Sequence, residues 1–568
     1  MTDLARRLAV SRGDEPADTV VRGGSVFCVF THEWLDADVA IVDGVIAGIG
    51  EYDGNEIVDA SGRFVVPGFV DAHMHIESVK LVVDELARLI LPLGTTTIVA
   101  DPHEIANVLG SDGVHWLLDA CDHLQLGVYF MAPSCVPASP FESPRRPLDF
   151  GDLEALMRRK RVLGLAEMMN FPGVVHGLPS ELGKLALEGA EHVDGHAPGL
   201  LGKGLQAYAA AGIRSDHECL TVEEGRERLR AGMWLLIREA SMARNLEALI
   251  PLALEYGPHR IAFCTDDKDP DDVFENGHIN GMVRDAVRLG ATPEDALVMA
   301  SINPAQWHRL WHLGAVAPGY QADLLLLPDL VGFMPDLVLK RGEPLADIPA
   351  APVPEWVRQT VRIKPVTAAD FAIPSDGSPI RAIGLIEDQV VTTCHEREPV
   401  VVEGHAVADT DADLAKIAVV ERHLGTGRIG HGFVSGSGLR SGALASTVAH
   451  DAHNLVVVGM SDEDMVFAVE HLAEIGGGIA VVEAGRVVAE CPLPVAGLLS
   501  DASLAEVIAQ SAATNAAAHD LGWTGATPFL TMAFLALSVI PSLKITDRGL
   551  VDVDRFELVP LSLAATEA

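Results

Sequence analysis

A chain of 568 residues with 80 acidic side chains against 41 basic ones carries a formal charge of −39, a field that repels phosphate backbones and anionic lipid surfaces and so argues against nucleic-acid and membrane partners. Hydrophobic residues make up 49% of it, and the length exceeds what one ordinary core supports, so several domains are expected. Met1–Val10 lacks an unbroken apolar stretch, no 18-residue apolar run occurs, and Cys28, Cys121, Cys135, Cys219, Cys264, Cys394 and Cys491 show no C-x-x-C spacing, which predicts a soluble cytoplasmic protein with reduced thiols.

Residues 1–66 read as the first part of a small composite β-sandwich. Val20–Val29, Asp38–Val42 and Val45–Ile49 are short strand-like runs, and Asp43-Gly44 is a two-residue hairpin turn between the last two. From residue 67 to 315 short apolar runs alternate with helix-compatible segments. Phe64–Val70, Thr95–Ala100, Gly127–Met131, Val162–Ala166, His192–Gly195, Gly212–Ser215, Met233–Ile237 and Ile261–Cys264 make eight strands, the count of a (β/α)8 TIM-type barrel. Residues 316–343 return to β character and are expected to rejoin the sandwich. Residues 344–371 are proline-rich and read as a linker, and 372–568 as a separate C-terminal α/β domain with strands such as Asn454–Val458 and Ile479–Val482. The fold class is α/β.

In such a barrel the chemistry sits where the strands end. The first strand runs into His73 and His75, which alternate onto one face of an extended segment. The fourth ends in Glu167, the fifth in His196, the sixth in His217 and the eighth in Asp266. Any one of these could be a core histidine or a helix-capping aspartate; five strand ends in register set them apart. Four histidines and two carboxylates suit two metal ions bridged by a carboxylate and about 3.5 to 4 Å apart, and Glu167 is the natural bridge. Nitrogen and oxygen ligands without a thiolate fit Mn, Fe or Zn. Two divalent ions would make a water acidic near neutral pH, and Asp266 can accept its proton, which describes metal-assisted hydrolysis.

The phrases PGFVDAHMHIES (67–78), LPLGTTTIVADPHEIANVLG (91–110), LAEMMNFPGV (165–174), DGHAPGL (194–200), AGIRSDHE (211–218) and FCTDDKDPDD (263–272) resemble the bacterial adenine deaminases of the amidohydrolase superfamily. The likeness continues through SGLRSGALASTVAHDAHNLVVVG (437–459) and PFLTMAFLALSVIPSLKITDRGL (528–550), so 372–568 resembles the C-terminal domain of that family. It implies deamination of adenine to hypoxanthine and ammonia in purine salvage, with adenine and water as the small-molecule partners. The implied cofactors are two Mn2+ or Fe2+ per chain, with Zn2+ as an alternative. His73, His75, Glu167, His196, His217 and Asp266 would be the ligands, a metal-bound hydroxide the nucleophile at C6, and Asp266 also the proton shuttle.

Two positions depart from better-known relatives. Glu167 stands where hydantoinases and dihydroorotases carry a carbamylated lysine, and the His-x-x-Glu of cytosine deaminases is here the adjacent pair His217-Glu218. Glu77, His103 and Glu218 are further catalytic candidates, and Glu104 and Asp267 substrate-binding candidates. The cluster His450, Asp451 and His453 has metal-like spacing, but a polar turn before a strand explains it equally well and it has no assigned role. Loops after strands two, three and four that close over a free base would reject adenosine, and a homo-oligomer is expected. A cyclic-amide hydrolase is the nearest rival, disfavoured by Glu167, and a non-catalytic scaffold has no need of six convergent metal-binding side chains.

Overall fold

The computed structural model describes residues 4–386 and 389–564. Strands β1 (Ala17–Cys28), β2 (Glu33–Val42) and β3 (Val45–Gly50) form an antiparallel meander. Asp43 and Gly44 between β2 and β3 both have positive φ, 50° and 75°, as a two-residue hairpin turn of matching twist requires. Strands β4 (Gly54–Asp59) and β5 (Phe64–Pro67) run parallel to successive halves of β1.

The chain then changes sheets at Gly68, where a Cβ would come within 2.3 Å of Thr96 Oγ1. The single first strand expected over Phe64–Val70 is therefore two: β5 stays in the first sheet, and β6 (Phe69–Met74) opens a parallel one. Strands β7 (Thr95–Ala100), β8 (Gly127–Ala132), β9 (Val162–Met168) and β10 (Val193–Gly195) follow β6 in order. Strands β11 (Ser215–Asp216), β12 (Trp234–Arg238) and β13 (Ile261–Cys264) form a second parallel set.

The two sets meet at both edges. Met74 bridges in parallel to Asp266 just after β13. At the other edge the Gly195 amide donates to Ser215 Oγ at 3.0 Å and the Ala197 amide to Asp216 Oδ1 at 3.2 Å, side chains standing in for a backbone ladder. A Cβ at Gly195 would meet the Ser215 carbonyl at 2.1 Å, so glycine before His196 is what lets β10 and β11 come together. The strands are buried on both faces, as helix-covered parallel strands must be.

The chain returns through β14 (Leu324–Leu327), β15 (Leu337–Lys340) and β16 (Glu343–Pro344), with β14 antiparallel to β5, so the N-terminal strands and the return strands share one eight-stranded mixed sheet. The proline-rich stretch is not a free tether. Val357 and Phe371 are buried, Val357 accepts from the Ala496 amide at 2.8 Å, and the Arg362 amide donates to the Arg422 carbonyl at 2.8 Å. A second eight-stranded sheet, centred on Leu414–Val420, Leu455–Gly459 and Ala443–Ser446, fills the C-terminal half with helices Asp462–Glu474, Leu504–Asp520 and Pro528–Leu535. Its apolar core is continuous with that beneath β6–β10, from Ile76 and Leu86 to Leu499 and Met532. The part expected to be separate is thus packed onto the parallel strands. No helix of the described residues is long and apolar enough to cross a membrane.

Candidate metal centre and substrate pocket

The side chains of all six predicted ligands converge at the C-terminal ends of the parallel strands, His73 and Glu167 from within β6 and β9. His73 Nε2 and His75 Nε2 lie 3.4 and 3.0 Å from Asp266 Oδ1. The His75 Nδ1–H donates to the Asp101 carbonyl at 3.0 Å, which fixes the tautomer and turns the lone pair of Nε2 toward the cluster. Asp266 adopts a left-handed φ of 56°, a conformation aspartate tolerates better than most residues, and its amide donates to the His73 carbonyl at 3.0 Å.

Glu167, near the end of β9, stands between two histidine pairs. Its Oε1 is 3.5 Å from His75 Nε2 and 3.9 Å from His73 Nε2, while Oε2 is 2.8 Å from His196 Nδ1 and 3.2 Å from His217 Nε2. One carboxylate thus offers an oxygen to each pair, the disposition of a bridge between two cations. His196 Nδ1 and His217 Nε2 face each other at 3.3 Å.

Electrostatics favour a cation here. Burial works to raise both carboxyls, yet His196 and His217 hold Glu167, and His73, His75 and Arg238 hold Asp266, well below the usual carboxylate range. Burial likewise works to depress the imidazoles, yet Asp266 and Glu167 raise His73, Asp266 and Asp267 raise His75, and Glu218 and Glu167 bring His196 up to about 9. A buried cluster that holds its anions and draws protons onto its imidazoles accepts divalent ions in place of those protons. The donor set fits: His73 Nε2 lacks a hydrogen-bond partner among the described residues. The ligand atoms of His73, His75 and Asp266, and of His73, Glu167 and His217, lie within 4.8 Å of one another.

The surrounding layer is less evident in the sequence. Arg238 ends β12, grips Glu218 through both terminal nitrogens, and donates to Asp266 Oδ2 at 3.0 Å. His103 Nδ1 lies 3.2 Å from Asp101 Oδ2 and 3.6 Å from Glu167 Oε1. Asp267 and His103 line the cavity, whereas Glu77 and Glu104 sit one layer behind it. Glu77 accepts the Ile105 amide at 2.9 Å, and burial with neighbouring Glu104 pushes its carboxyl up to about 8. Ser78 Oγ joins Glu104 to Asp267.

The C-terminal half completes the wall. His450 Nδ1 is 3.5 Å from Glu104 Oε1, Asp451 Oδ1 is 3.6 Å from His103 Nε2, and the His450 ring stacks on Phe534 with centroids 4.7 Å apart. Glu104, His450 and His453 cluster as a metal site would, but His453 Nδ1 accepts the Ala449 amide at 3.1 Å. In the neutral ring its Nε2 therefore carries the proton and offers no lone pair to a metal. Val390, Phe534, Leu537 and Ile540 cover the cavity, leaving about 30 Å³ free beside the cluster, room for about one water. Glu218, Arg238, Val390 and Ile540 also line a neighbouring vestibule of about 450 Å³, so the apolar cover stands between that vestibule and the cluster.

The amidohydrolase family model matches residues 64–345, and the adenine deaminase C-terminal domain model matches residues 389–557. The chain is 47% identical over 570 residues to adenine deaminase 2 of Carboxydothermus hydrogenoformans, covering 99% of this chain and 100% of that protein. It belongs to the adenine deaminase family. A second member, the adenine deaminase of Desulfatibacillum aliphaticivorans, is 44% identical over 98% of this chain and 99% of its own length. Among solved structures, one described as an adenine deaminase is similar over 58% of this chain and 99% of that one, with a TM-score of 0.45 and 15% identity.

In this member of the family, the residues missed from the sequence are Arg238, Ser78, His450, Asp451 and Phe534. Arg238 had a signal: it ends the seventh parallel strand, in register with the ligands. His450 and Asp451 stood out only by the metal-like spacing of their cluster, which had no assigned role, and Phe534 had no signal, because only docking of the C-terminal half brings them to the pocket.

Proposed function

We propose that the chain hydrolytically deaminates adenine to hypoxanthine and ammonia on a two-metal centre, as a cytoplasmic enzyme of purine salvage. The observation that carries this reading is Glu167 with one oxygen toward each histidine pair, in a chain alike over nearly its whole length to proteins named adenine deaminase. β6 to β13 and their helices make one (β/α)8 barrel over 67–315, flanked by the mixed sheet of 1–66 and 316–343. His73, His75, Glu167 and Asp266 would hold one ion, and Glu167, His196 and His217 the other, Mn2+ or Fe2+ with Zn2+ as the alternative. When bound, such ions supply water acidified to near neutral pH and neutralise charge developing at the reacting carbon.

The protein's own side chains do the rest. Asp266 is anchored at Oδ2 by Arg238 and kept ionised, and its Oδ1, which faces His73 and His75, would take the proton released by the attacking water and return it to the amine at C6, which departs as ammonia. Glu218 has both oxygens engaged by Arg238 and orients that guanidinium. His103 stands beside Glu167, placed to contact the edge of the base. Phe534, Leu537 and Ile540 exclude bulk water once the base is in place. Ammonia release from adenine, adenosine, cytosine and hydantoin by Mn-loaded protein tests the reading. Adenine alone should react; ring opening of hydantoin without ammonia from adenine would replace the deaminase by a cyclic-amide hydrolase.

A further inference from the structure

Asp451 reaches the pocket from the C-terminal half and is held there firmly. Arg422 donates to the Ala496 carbonyl at 3.1 Å from both terminal nitrogens and to the His453 carbonyl from Nε. His423 Nε2 donates to the Ala452 carbonyl at 2.6 Å. Asn454 accepts the Arg422 amide at 3.1 Å and donates to the Ser143 carbonyl at 3.1 Å. These contacts leave the turn 449–454 little freedom, and Asp451 is 2% exposed.

Its two oxygens differ. Oδ1 is 3.6 Å from His103 Nε2, and the other nitrogen of that ring is 3.6 Å from Glu167 Oε1, so one imidazole separates Asp451 from the bridging carboxylate. Oδ2 has no hydrogen-bond partner among the described residues. An unpaired buried acceptor is costly, more so when charged, and asks for a donor. The other carboxylates of the wall are engaged: Glu218 and Asp266 by Arg238, Glu167 by His196 and His217, Asp267 by Ser78.

A purine with C6 at the metal ligands directs its five-membered ring away from them. The free base carries an N–H on that ring; a nucleoside carries carbon at the same place. We infer that Asp451 Oδ2 accepts the five-membered-ring N–H of the free purine base and thereby sets the choice of base over nucleoside. The inference rests on the deaminase reading and adds to it the residue that decides specificity. A 9-substituted purine loses the hydrogen bond and also strands a buried carboxylate oxygen against an alkyl group, the kind of mismatch that discriminates by about 10⁴-fold.

The test compares kcat/KM for adenine and 9-methyladenine in the Mn-loaded wild type, Asp451→Asn and Asp451→Ala. The wild type should prefer adenine by about 10⁴-fold, Asp451→Ala should lose at least about 100-fold of that preference, and Asp451→Asn, whose amide carbonyl still accepts, should fall between them. Calorimetric binding of hypoxanthine against 9-methylhypoxanthine should follow the same order, which keeps the test independent of turnover. A preference unchanged in both variants overturns the role of Asp451 alone. A wild type that releases no ammonia from adenine overturns the deaminase reading on which it rests.

Discussion

His192 and His196 flank the same three-residue strand, Val193–Gly195, yet their surroundings make them opposites. His196, at the C-terminal end, faces Glu167 and Glu218 and is raised to about 9. His192, at the N-terminal end, is lowered to about 3 by burial, with Arg309 adding to the effect. Its Nε2 lies 3.1 Å from His308 Nδ1, and His308 Nε2 donates to the Ala72 carbonyl at 2.7 Å, which leaves His308 Nδ1 an acceptor and His192 Nε2 its donor. Asp194 beside them takes Trp307 Nε1 at 2.9 Å and Ser215 Oγ at 3.0 Å. His192, Asp194 and His308 are grouped closely enough for a metal, but their facing nitrogens are committed to a neutral chain of hydrogen bonds. Proximity of histidines and a carboxylate is therefore insufficient. Free lone pairs and an excess of carboxylates distinguish the centre from the floor beneath it.

The strongest way to break this contrast is to remove the shared carboxylate. Glu167→Ala should lose both ions, with activity falling beyond the roughly 10- to 100-fold that loss of an outer partner costs a metal site; elemental analysis and ammonia release check it, and retention of two ions would deny the bridge. Asp266→Asn should separate its two roles. Turnover should fall by about 10²- to 10⁴-fold, the worth of a positioned acid–base group, while metal content falls much less, and parallel loss of both would leave Asp266 as a ligand only. On the floor the reverse is expected: His192→Ala should keep both ions and kcat but lose about 1–3 kcal/mol of stability in denaturant unfolding, since the acceptor on His308 is left unpaired. A floor variant that sheds metal would erase the distinction.

The smallest effect is one of pH. His192 takes its proton only near pH 3 when folded but near 6.5 when unfolded, so between those values the unfolded chain binds the extra proton. Its contribution to stability is full above about pH 6.5 and is lost as pH falls toward 3, with a slope of up to about 1.4 kcal/mol per unit. His192→Gln should reduce that slope by one proton's worth in unfolding midpoints taken from pH 7 to 4. An unchanged slope would mean that His192 is not held neutral.

The convergent cluster proposed to hold the ions was legible because a repeating strand–helix unit places strand ends at regular intervals, and chemistry-bearing residues at five of those ends stand out from a single chain. Arg238 obeys the same register, but a guanidinium is not a metal ligand; it fixes Glu218 and Asp266 from one step behind the histidine–carboxylate cluster. Asp451 and His450 were visible as residues but not as partners of His103 and Glu104, since nothing local encodes which surface the C-terminal half covers. The prolines of 344–371 restrict the backbone without saying whether it docks, and the buried Val357 and Phe371 decide that. Phe64–Val70 looked like one strand because both sheets want the same apolar residues; only the close approach of Gly68 to Thr96 marks the change of sheet.

The central claim is that two ions, shared through Glu167, work together on adenine. Titration of metal-free protein with Mn2+, followed by ammonia release from adenine, tests it most directly. Activity should rise until two equivalents per chain are bound and then level off. Full activity at one equivalent, or no ammonia from adenine at any loading, would contradict it.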